Sequence, residues 1–418
     1  MKALVLAGGF PQIALIEELH SRGIYVVLAD WNEEPVAKKF ADKYYRESTL
    51  NVDAIKKIAL DEKVDLIITV CTDQALLTVA KVSEELGLPC YIDYKTALNV
   101  TNKQYMKTVF AENNICTSRH IILGEYDAAA LSGLQYPLIV KPVDCNSSKG
   151  VRRCENETEL KEYLNDAIQF SRTKTAIVEE FVEGDELTVD VYVENGVANV
   201  LSISNSIKVK EKDKFVIFRT INPAAVSEEI VEQVRFTAQQ IASAFNLTDT
   251  PMLIQMLTDG KKAYVIEFSA RTGGGVKYIL IKHSCGFDVI KSVVDLTLGL
   301  KPHYEKSASA SKYLVNDFIY CKSGVFDHLE GFDELKNDGI IKDYYIFSWR
   351  GAEFNGEVKA SGDRVGGYTV VADTPEELIA YQNEARNRIK VINNKGEDIA
   401  RHDILSGLYA ENGLIYSF

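Results

Sequence analysis

The stretch AYVIEFSARTGGG, residues 263–275, decides the fold of this chain. Its apolar run precedes Glu267 and predicts a strand. Because side chains alternate along a strand, Glu267, Ser269 and Arg271 are expected on one face, followed by the glycines Gly273, Gly274 and Gly275. A carboxylate, a guanidinium and a bare backbone loop predict a site for a divalent cation and phosphate oxygens. A solvated strand end with a flexible turn is the alternative.

The segment IQMLTDGKKAYVIEF, residues 254–268, predicts a hairpin that turns at DGK. Counting outward from the turn brings Gln255 and Glu267 to neighbouring strand ends. Both side chains offer oxygen, which is the ligand that Mg²⁺ prefers. This pair of residues is therefore the candidate metal site.

A second polar loop lies in YPLIVKPVDCNSSKGV, residues 136–151. The strand-like run places Lys141 at a strand end, where its ammonium suits a phosphate group. The small, donor-rich residues that follow can close over phosphates with backbone N–H groups, hydroxyls and one ammonium; they are Ser147, Ser148, Lys149 and Gly150. A solvated hairpin loop is the equal alternative for this segment alone.

A third segment, AIVEEFVEGDELTVDVYV, covers residues 176–193. Its extended backbone can offer an N–H and a C=O to an adenine edge, with Phe181 or Val182 against the ring. Two carboxylates, Glu179 and Glu180, precede these residues, and Glu186 can accept both hydroxyls of a ribose. A β-hairpin with a charged tip is the alternative.

Composition excludes several function classes. The 418 residues are 46% apolar and 26% charged, with 47 Lys plus Arg against 60 Asp plus Glu and a net charge of −13. This balance disfavours a nucleic-acid partner, and no basic or long apolar segment predicts a membrane partner. Seven scattered cysteines without a CxxC pair favour a reducing cytoplasm. The partners predicted are therefore small molecules.

The order of elements indicates an α/β and α+β multidomain protein. Residues 1–98 alternate strands and helices, including a final short strand at LPCYI, and this pattern predicts a doubly wound parallel sheet. The AGGF turn after the first strand lacks GxGxxG, so it is interpreted as structural. A small α/β unit is predicted over 118–178, mainly strands over 186–305, and a further strand-and-helix segment over 306–418.

In their order, the segments KPVDCNSSKGV, VEEFVEGDE and IEFSARTGGG resemble those of ATP-grasp enzymes of the carboxylate–amine ligase type. The chain resembles carbamoyl phosphate synthetase, D-alanine–D-alanine ligase and the L-amino acid ligases over essentially its whole length. The resemblance implies an ATP-grasp fold with a pre-ATP-grasp domain (1–98), an ATP-grasp domain (99–305) containing a lid subdomain (118–178), and a C-terminal portion (306–418) that completes the substrate site.

The resemblance also implies roles for individual residues. Lys103 in TNKQYMK and Lys141 match the two lysines that bind ATP phosphates, and residues 147–150 match the phosphate lid. Residues 179–182 match the adenine hinge, and Glu186 matches the ribose carboxylate. Gln255 and Glu267 match the ligands of one or two Mg²⁺ ions, with Mn²⁺ as a substitute. Arg271 matches the arginine that steadies the transferred phosphoryl group.

Two features concern the substrate. The family often has Asn two residues after the metal-binding Glu, but this chain has Ser269, which implies a less complete second metal site. Arg364, in SGDRVGGYTVV, is the candidate clamp for a substrate carboxylate, with a surface arginine as the alternative. Gly273, Gly274 and His283 are further candidates for substrate binding, although a structural histidine is the more common outcome.

The function implied is an ATP- and Mg²⁺-dependent ligase that converts a carboxylate to an acyl phosphate and joins it to an amine, with an amino acid as the expected amine. The first alternative is a specialised ligase of nucleotide, cofactor or cell-surface biosynthesis. The second is a non-catalytic ATP-binding protein. Since related enzymes are often homodimers, a homodimer is also possible on this resemblance.

Overall fold

The N-terminal part of the chain contains a four-stranded parallel sheet. The computed structural model of the protein describes residues 1–144, 150–209, 215–305, 307 and 313–406. The strands of this sheet are β1 (Lys2–Leu6), β2 (Tyr25–Asp30), β3 (Lys43–Arg46) and β4 (Leu66–Ile68). Their order is β3-β2-β1-β4, with every neighbouring pair parallel. The predicted parallel sheet is therefore confirmed.

Helices cover both faces of this sheet. The helices of this part are α1 (Phe10–Ser21), α2 (Val52–Glu62), α3 (Asp73–Leu86), α4 (Tyr94–Thr101) and α5 (Lys103–Glu112). Apolar side chains of α1 pack on one face of the sheet, and those of α2 and α3 pack on the other. Strands buried on both faces are typical of parallel sheets, which explains the continuous apolar runs of β1 and β2.

The predicted strand at LPCYI is wrong. Residues 88–92 have no strand or helix after Gly87, which caps α3 in the left-handed conformation. Ile92 is nevertheless buried, and Cys90 and Tyr91 pack against apolar clusters. A short apolar run fits a buried loop as well as a strand, so periodicity alone could not separate them.

The second sheet has its own apolar core. Its strands are β5 (His120–Leu123), β6 (Leu138–Pro142), β7 (Arg152–Cys154) and β8 (Ala176–Glu180), in the order β5-β8-β6-β7. The helices α6 (Ala128–Leu131) and α7 (Glu157–Phe170) belong to the same segment. The core cluster of this segment draws its buried residues only from positions 123–178.

The middle of the chain supplies five strands and three helices. They are β9 (Asp185–Glu194), β10 (Val197–Lys208), β11 (Ile217–Asn222), α8 (Glu228–Ala244), β12 (Thr250–Thr258), β13 (Ala263–Ser269), α9 (Lys277–Cys285) and α10 (Val289–Thr297). The predicted hairpin is present, because β12 and β13 pair antiparallel with Gln255 opposite Glu267. Helix α10 packs against the N-terminal parallel sheet, on the same face as α1.

The last part contributes β14 (Tyr313–Tyr320), β15 (Ser323–Glu330), α11 (Phe332–Asn337), β16 (Asp343–Ile346), β17 (Glu353–Asn355), β18 (Arg364–Ala372), α12 (Pro375–Arg388), β19 (Lys390–Asn393) and α13 (His402–Ser406). Thr374 caps α12, with Pro375 at its first position, where the missing N–H costs nothing. The long antiparallel sheet has the order β13-β12-β9-β10-β11-β14-β18-β16, so it joins the middle of the chain to its C-terminal part. A smaller sheet has the order β17-β15-β19.

Candidate active site

The hairpin of β12 and β13 places polar side chains around one cavity. The cavity is lined by Gln255 of β12 and by Glu267, Ser269 and Arg271. The last three side chains therefore share one face, as the alternation along a strand predicts. Lys103, the first residue of α5, lies on the opposite wall, and its Nζ is 3.1 Å from Oε2 of Glu267. The side chain of Asn102 caps α5 by accepting a hydrogen bond from the Tyr105 N–H, which fixes where the helix begins.

Arg271 is held by a carboxylate that the sequence analysis missed. Its Nε and Nη2 each lie 2.6 Å from an oxygen of Asp73, which is the first residue of α3. The Ser269 hydroxyl donates to the same carboxylate at 2.5 Å. Burial alone would raise the pKa of Asp73, but the Arg271 charge, the hydrogen bonds from Arg271 and Ser269 and the Lys103 charge together outweigh it, so the pKa is lowered. Arg271 is thus charged and oriented from two sides, since its Nη1 also donates to the Thr272 carbonyl.

A larger, mainly apolar cleft lies on the other side of Glu267. Lys103, Gln255 and Glu267 line this cleft as well as the polar cavity. Its walls also include the predicted nucleotide residues; they are Lys141, Glu179, Glu180, Phe181, Val182 and Glu186. The structure therefore brings the candidate phosphate, hinge, ribose and metal residues to one place.

Glu179 is buried between two lysines at the inner end of this cleft. Its carboxylate pairs with Lys141 and lies 3.0 Å from Nζ of Lys107. The Ser118 hydroxyl donates to it at 2.6 Å. Burial acts to raise the pKa of Glu179, but the two ammonium groups lower it well below its ordinary range. The group has a net positive charge, which suits a phosphate nearby.

The backbone of residues 180–182 follows β8 along the cleft. The N–H of Phe181 donates to the Pro137 carbonyl, so it is not available to a ligand. Among the residues that the structure describes, no backbone carbonyl accepts from the Val182 N–H. The Glu180 carboxylate pairs with Arg119 outside the cleft. Val182 is therefore the position of this segment that can donate to an adenine edge.

Glu186 also has a partner that the sequence analysis missed. Its Oε2 lies 2.7 Å from Nζ of Lys208 on β10, and its Oε1 lies 3.5 Å from Nε2 of Gln255. Lys208 lines the same cleft. Glu186 thus sits between the candidate metal ligand Gln255 and a cation.

A second polar cavity extends from Arg271 towards the C-terminal part of the chain. Gly274, Gly275, Lys277 and Arg364 line it, together with Gln255 and Glu267. Arg364 is held by Nε donating to the Tyr320 hydroxyl and Nη2 donating to the Ile217 carbonyl, and it lies over the Phe318 ring at 3.8 Å. Gly275 has a φ of +67°, and a Cβ there would lie 3.7 Å from Nη1 of Arg364. The glycine therefore keeps the loop beside this guanidinium.

Some predicted site residues lie elsewhere. His283 is on α9, with Nε2 3.5 Å from Oδ2 of Asp343, and it is not among the residues that line the three cavities above. Gly273 packs against Asp190. Ser147, Ser148 and Lys149 lie outside the described residues. Gly150 is described and has a φ of +73° beside the Pro142 ring.

The missed residues carried weak signals. Asp73 follows β4 and begins a helix, which is the place where parallel strands present functional side chains. Lys107 lies four residues after Lys103 on α5, so the two lysines share one helix face. Lys208 is the last residue of β10, on the same sheet as Glu186. Each of these positions could be noticed in the sequence, but the sequence did not show which residue it contacts.

The donor set can be tested against a metal ion. Among the described residues, no group of three or more His, Cys, Asp or Glu side chains is arranged to hold a metal. Gln255 and Glu267 instead form a two-residue set of oxygen ligands, directly opposite each other in register. Mg²⁺ is commonly bound by one or two protein oxygens together with substrate phosphates. The residues present therefore fit a metal that arrives with a nucleotide.

Comparisons with known proteins agree with this geometry. Residues 134–279 match the family model described as the ATP-grasp domain. The chain is 24% identical to phosphoribosylamine–glycine ligase of Methanocella arvoryzae, over 97% of this chain and 96% of that protein.

Solved structures show the same fold. The L-amino acid ligase of Bacillus licheniformis has a TM-score of 0.76 and 22% identity, over 94% of this chain and 98% of its own. The biotin carboxylase domain of Hydrogenobacter thermophilus 2-oxoglutarate carboxylase, solved with MgADP and bicarbonate, has a TM-score of 0.78 and 18% identity, over 97% and 92%. In the described part of this chain, no helix is long and apolar enough to cross a membrane. Residues 134–279 therefore match an ATP-grasp domain, and the shared fold with these solved structures extends over nearly the whole chain.

Proposed function

We propose that this protein is an ADP-forming ligase that uses ATP and Mg²⁺ to activate a carboxylate as an acyl phosphate and joins it to an amine. One observation carries the proposal: Gln255 and Glu267 line both the apolar cleft and the polar cavity beyond Arg271. A nucleotide in the cleft and a carboxylate in the cavity would meet at these two residues. The terminal phosphate and the substrate carboxylate would then be neighbours.

The residues of the cleft suit ATP. Val182 can donate to the adenine edge, Glu186 can accept from ribose hydroxyls, and Lys103 and Lys141 can neutralise phosphate oxygens. Gln255 and Glu267 would hold Mg²⁺, which supplies charge neutralisation at the phosphates. We keep Ser147, Ser148, Lys149 and Gly150 as the proposed phosphate lid. In the described structure Ser269 donates to Asp73, so we propose that it supports Arg271 rather than a second metal.

The chemistry needs positioning more than a protein nucleophile. A carboxylate oxygen of the substrate attacks the terminal phosphorus of ATP, the bond to the bridging oxygen breaks, and ADP leaves. The amine nitrogen then attacks the acyl carbon, inorganic phosphate leaves, and the amine loses its proton. Arg271 is charged and held from two sides, so it can stabilise the transferred group without reorganising.

We propose an amino acid as the amine. Arg364 supports this, because two of its nitrogens are held by Tyr320 and Ile217 while the guanidinium borders the polar cavity. A fixed guanidinium suits a carboxylate that is not itself activated. The similarity to an L-amino acid ligase agrees with this choice. The similarity to phosphoribosylamine–glycine ligase keeps a biosynthetic ligase as the second candidate.

We also propose a division of labour among the segments. Residues 118–178 would act as a lid over the acyl phosphate, which water would otherwise hydrolyse; their separate core cluster supports independent movement. Residues 1–98 would then be the pre-ATP-grasp domain, residues 99–305 the ATP-grasp domain, and residues 306–418 would complete the substrate site through Arg364. A homodimer in the cytoplasm remains our prediction.

The test is release of ADP and phosphate from ATP and Mg²⁺ across pairs of amino acids, with mass spectrometry of the products. We expect phosphate together with a new amide for at least one pair. We expect Arg271→Ala to bind ATP normally and to lose turnover about 100- to 1000-fold. The matched control is Arg235→Ala on the exposed face of α8. Unchanged turnover in Arg271→Ala would refute its role, and ATP binding without turnover for any carboxylate would favour the non-catalytic alternative.

A further inference from the structure

Lys277 is a buried lysine on the wall of the polar cavity. It is the first residue of α9, two positions after the last glycine of the turn, and the residue is 8% exposed. Within the described part of the chain, its Nζ has no hydrogen-bond partner and no carboxylate within ion-pair distance. Burying an ammonium group without such partners is costly. A feature that is costly for the folded protein needs an explanation.

A buried carboxylate that acts on Lys277 also lacks a full set of partners. Asp190 lies on β9 and is 2% exposed, and its Oδ2 accepts from the Ser202 hydroxyl at 3.3 Å. Its Oδ1 has no partner among the described residues. Burial lowers the pKa of Lys277 and raises that of Asp190, while each group acts against the shift in the other. The two groups attract each other at a distance but do not bond.

The glycine turn holds both groups in place. A Cβ at Gly273 would lie 2.7 Å from Oδ1 of Asp190 and 3.0 Å from Cβ and Cγ of Lys277. Any side chain at this position would collide with the carboxylate. Gly273 therefore allows the stem of Lys277 and the Asp190 carboxylate to approach the same point of the backbone.

The cavity that Lys277 lines also carries several hydroxyl groups. Thr188 is two residues before Asp190 on β9, and its hydroxyl lies 2.7 Å from that of Ser206. Both residues line the polar cavity with Lys277, as does Thr220. Arg364, which we assign to a substrate carboxylate, borders the same cavity but is held by Tyr320 and Ile217. An ammonium and hydroxyl groups lining one cavity are a suitable surface for an anion.

We propose that Lys277 binds a second anionic group of the substrate, a carboxylate or a phosphate, in addition to the carboxylate assigned to Arg364. This inference rests on the proposed function for the identity of the cavity as the substrate site. It names a substrate class: amino acids or amino-acid-like compounds with an acidic side group. Asp190 balances the charge of Lys277 until the anion enters.

The test measures dissociation constants by calorimetry, with Mg²⁺ and a non-hydrolysable ATP analogue present. The panel pairs acidic ligands with neutral ligands of similar shape: L-aspartate with L-asparagine, L-glutamate with L-glutamine, and O-phospho-L-serine with L-serine. We expect at least one acidic member to bind more tightly than its neutral counterpart. The pair that shows the preference identifies the group as carboxylate or phosphate.

Variants assign the preference to Lys277. Lys277→Met should weaken the preferred acidic ligand about tenfold to hundredfold and leave its neutral counterpart unchanged. Lys282→Met, on the exposed side of the same helix, should change neither. Asp190→Asn should strengthen binding of the acidic ligand several-fold, because it removes the opposing charge. It also provides a second test if Lys277→Met folds poorly.

Two outcomes overturn the proposal: no acidic ligand binds better than its neutral counterpart, or Lys277→Met weakens both members of a pair equally. The same experiments test the proposed ligase function independently of the anion site. If acidic ligands bind through Lys277 but no ADP or phosphate is released with any amine, the anion site stands and the proposed reaction is refuted. If turnover occurs without an acidic preference, only the present inference is refuted.

Discussion

Two groups of buried charges differ in how completely they are paired. In the apolar cleft, the Glu179 carboxylate accepts hydrogen bonds from Lys107 and Ser118 and forms an ion pair with Lys141. In the polar cavity that Arg271 and Arg364 border, Lys277 and Asp190 approach the same glycine without bonding to each other. The first group stabilises the fold through its own bonds. The group of Lys277 and Asp190 leaves the Lys277 ammonium available to an anion. The two groups thus differ in role: one set of buried charges stabilises the fold, and the other is proposed to bind a ligand.

The largest effect is expected from breaking the paired group. Glu179→Gln would leave two ammonium groups in a buried place without their carboxylate. We expect a loss of about 3–5 kcal/mol in the free energy of unfolding, as is typical when one partner of a buried ion pair is removed. Chemical denaturation followed by far-UV circular dichroism would measure it.

The neighbouring residue provides the control for this prediction. Glu180→Gln removes the pair with the exposed Arg119 and should cost little. The pKa of Glu179 is lowered, so its stabilising effect is present at neutral pH and is lost only as the pH falls towards its folded-state pKa. The two variants should therefore differ at pH 7. Equal stability would show that Glu179 is not essential to the fold.

A smaller effect, on turnover, is expected from changing Asp73. Both oxygens of its carboxylate are bonded to Arg271, and this ion pair lies in the candidate active site. Asp73→Asn keeps the shape of the side chain and removes the charge that orients the guanidinium. If the proposed reaction is correct, kcat should fall about 10- to 100-fold while the KM for ATP changes little. Steady-state kinetics would separate the two parameters.

The pH dependence of kcat distinguishes a loss of Arg271 orientation from a general loss of stability. The Arg271 charge lowers the pKa of Asp73, so its ionised form persists into mildly acidic solution and the kcat of the unmodified protein should be retained there. Asp61→Asn, on an exposed position of α2, is the control. A raised KM for ATP with unchanged kcat would contradict the role of Asp73 as a positioning residue.

Features set by local spacing could be predicted from the sequence. The DGK turn predicts the hairpin, although a register shift between Gln255 and Met256, which the turn does not specify, is what brings Gln255 opposite Glu267. The Asn102 and Thr374 caps likewise marked where two helices begin. In these cases the decisive interaction lies within a few residues.

Features that join distant segments could not be predicted. Asp73 and Arg271 are 198 positions apart, and Lys107 and Glu179 are 72 apart. No local pattern specifies such partners, since they depend on how β4, α5 and β8 pack in space. The strand prediction for residues 88–92 was wrong for a related reason, because the apolar side chains of this segment fill a core without forming a strand.

The smallest effect is expected in the free energy of unfolding when Lys277, rather than Lys107, is replaced. Lys277→Met replaces an unpaired buried ammonium with an apolar side chain of similar length, so we expect a gain of about 1 kcal/mol near pH 7. Lys107→Met breaks the pair with Glu179 and should instead destabilise. Denaturation of both variants beside the unmodified protein would give the two signs.

The gain should also depend on pH. Because the pKa of Lys277 is lowered by burial, the unfolded chain binds more protons than the folded one between that pKa and the ordinary lysine value. The cost of the buried ammonium is therefore full at low pH and disappears as the pH rises through this interval. The advantage of Lys277→Met should shrink between pH 7 and pH 10. A loss of stability at pH 7 would mean that Lys277 is paired as Lys107 is, and a constant advantage would mean that the gain does not come from the buried ammonium. Either result would remove the contrast between the two buried groups.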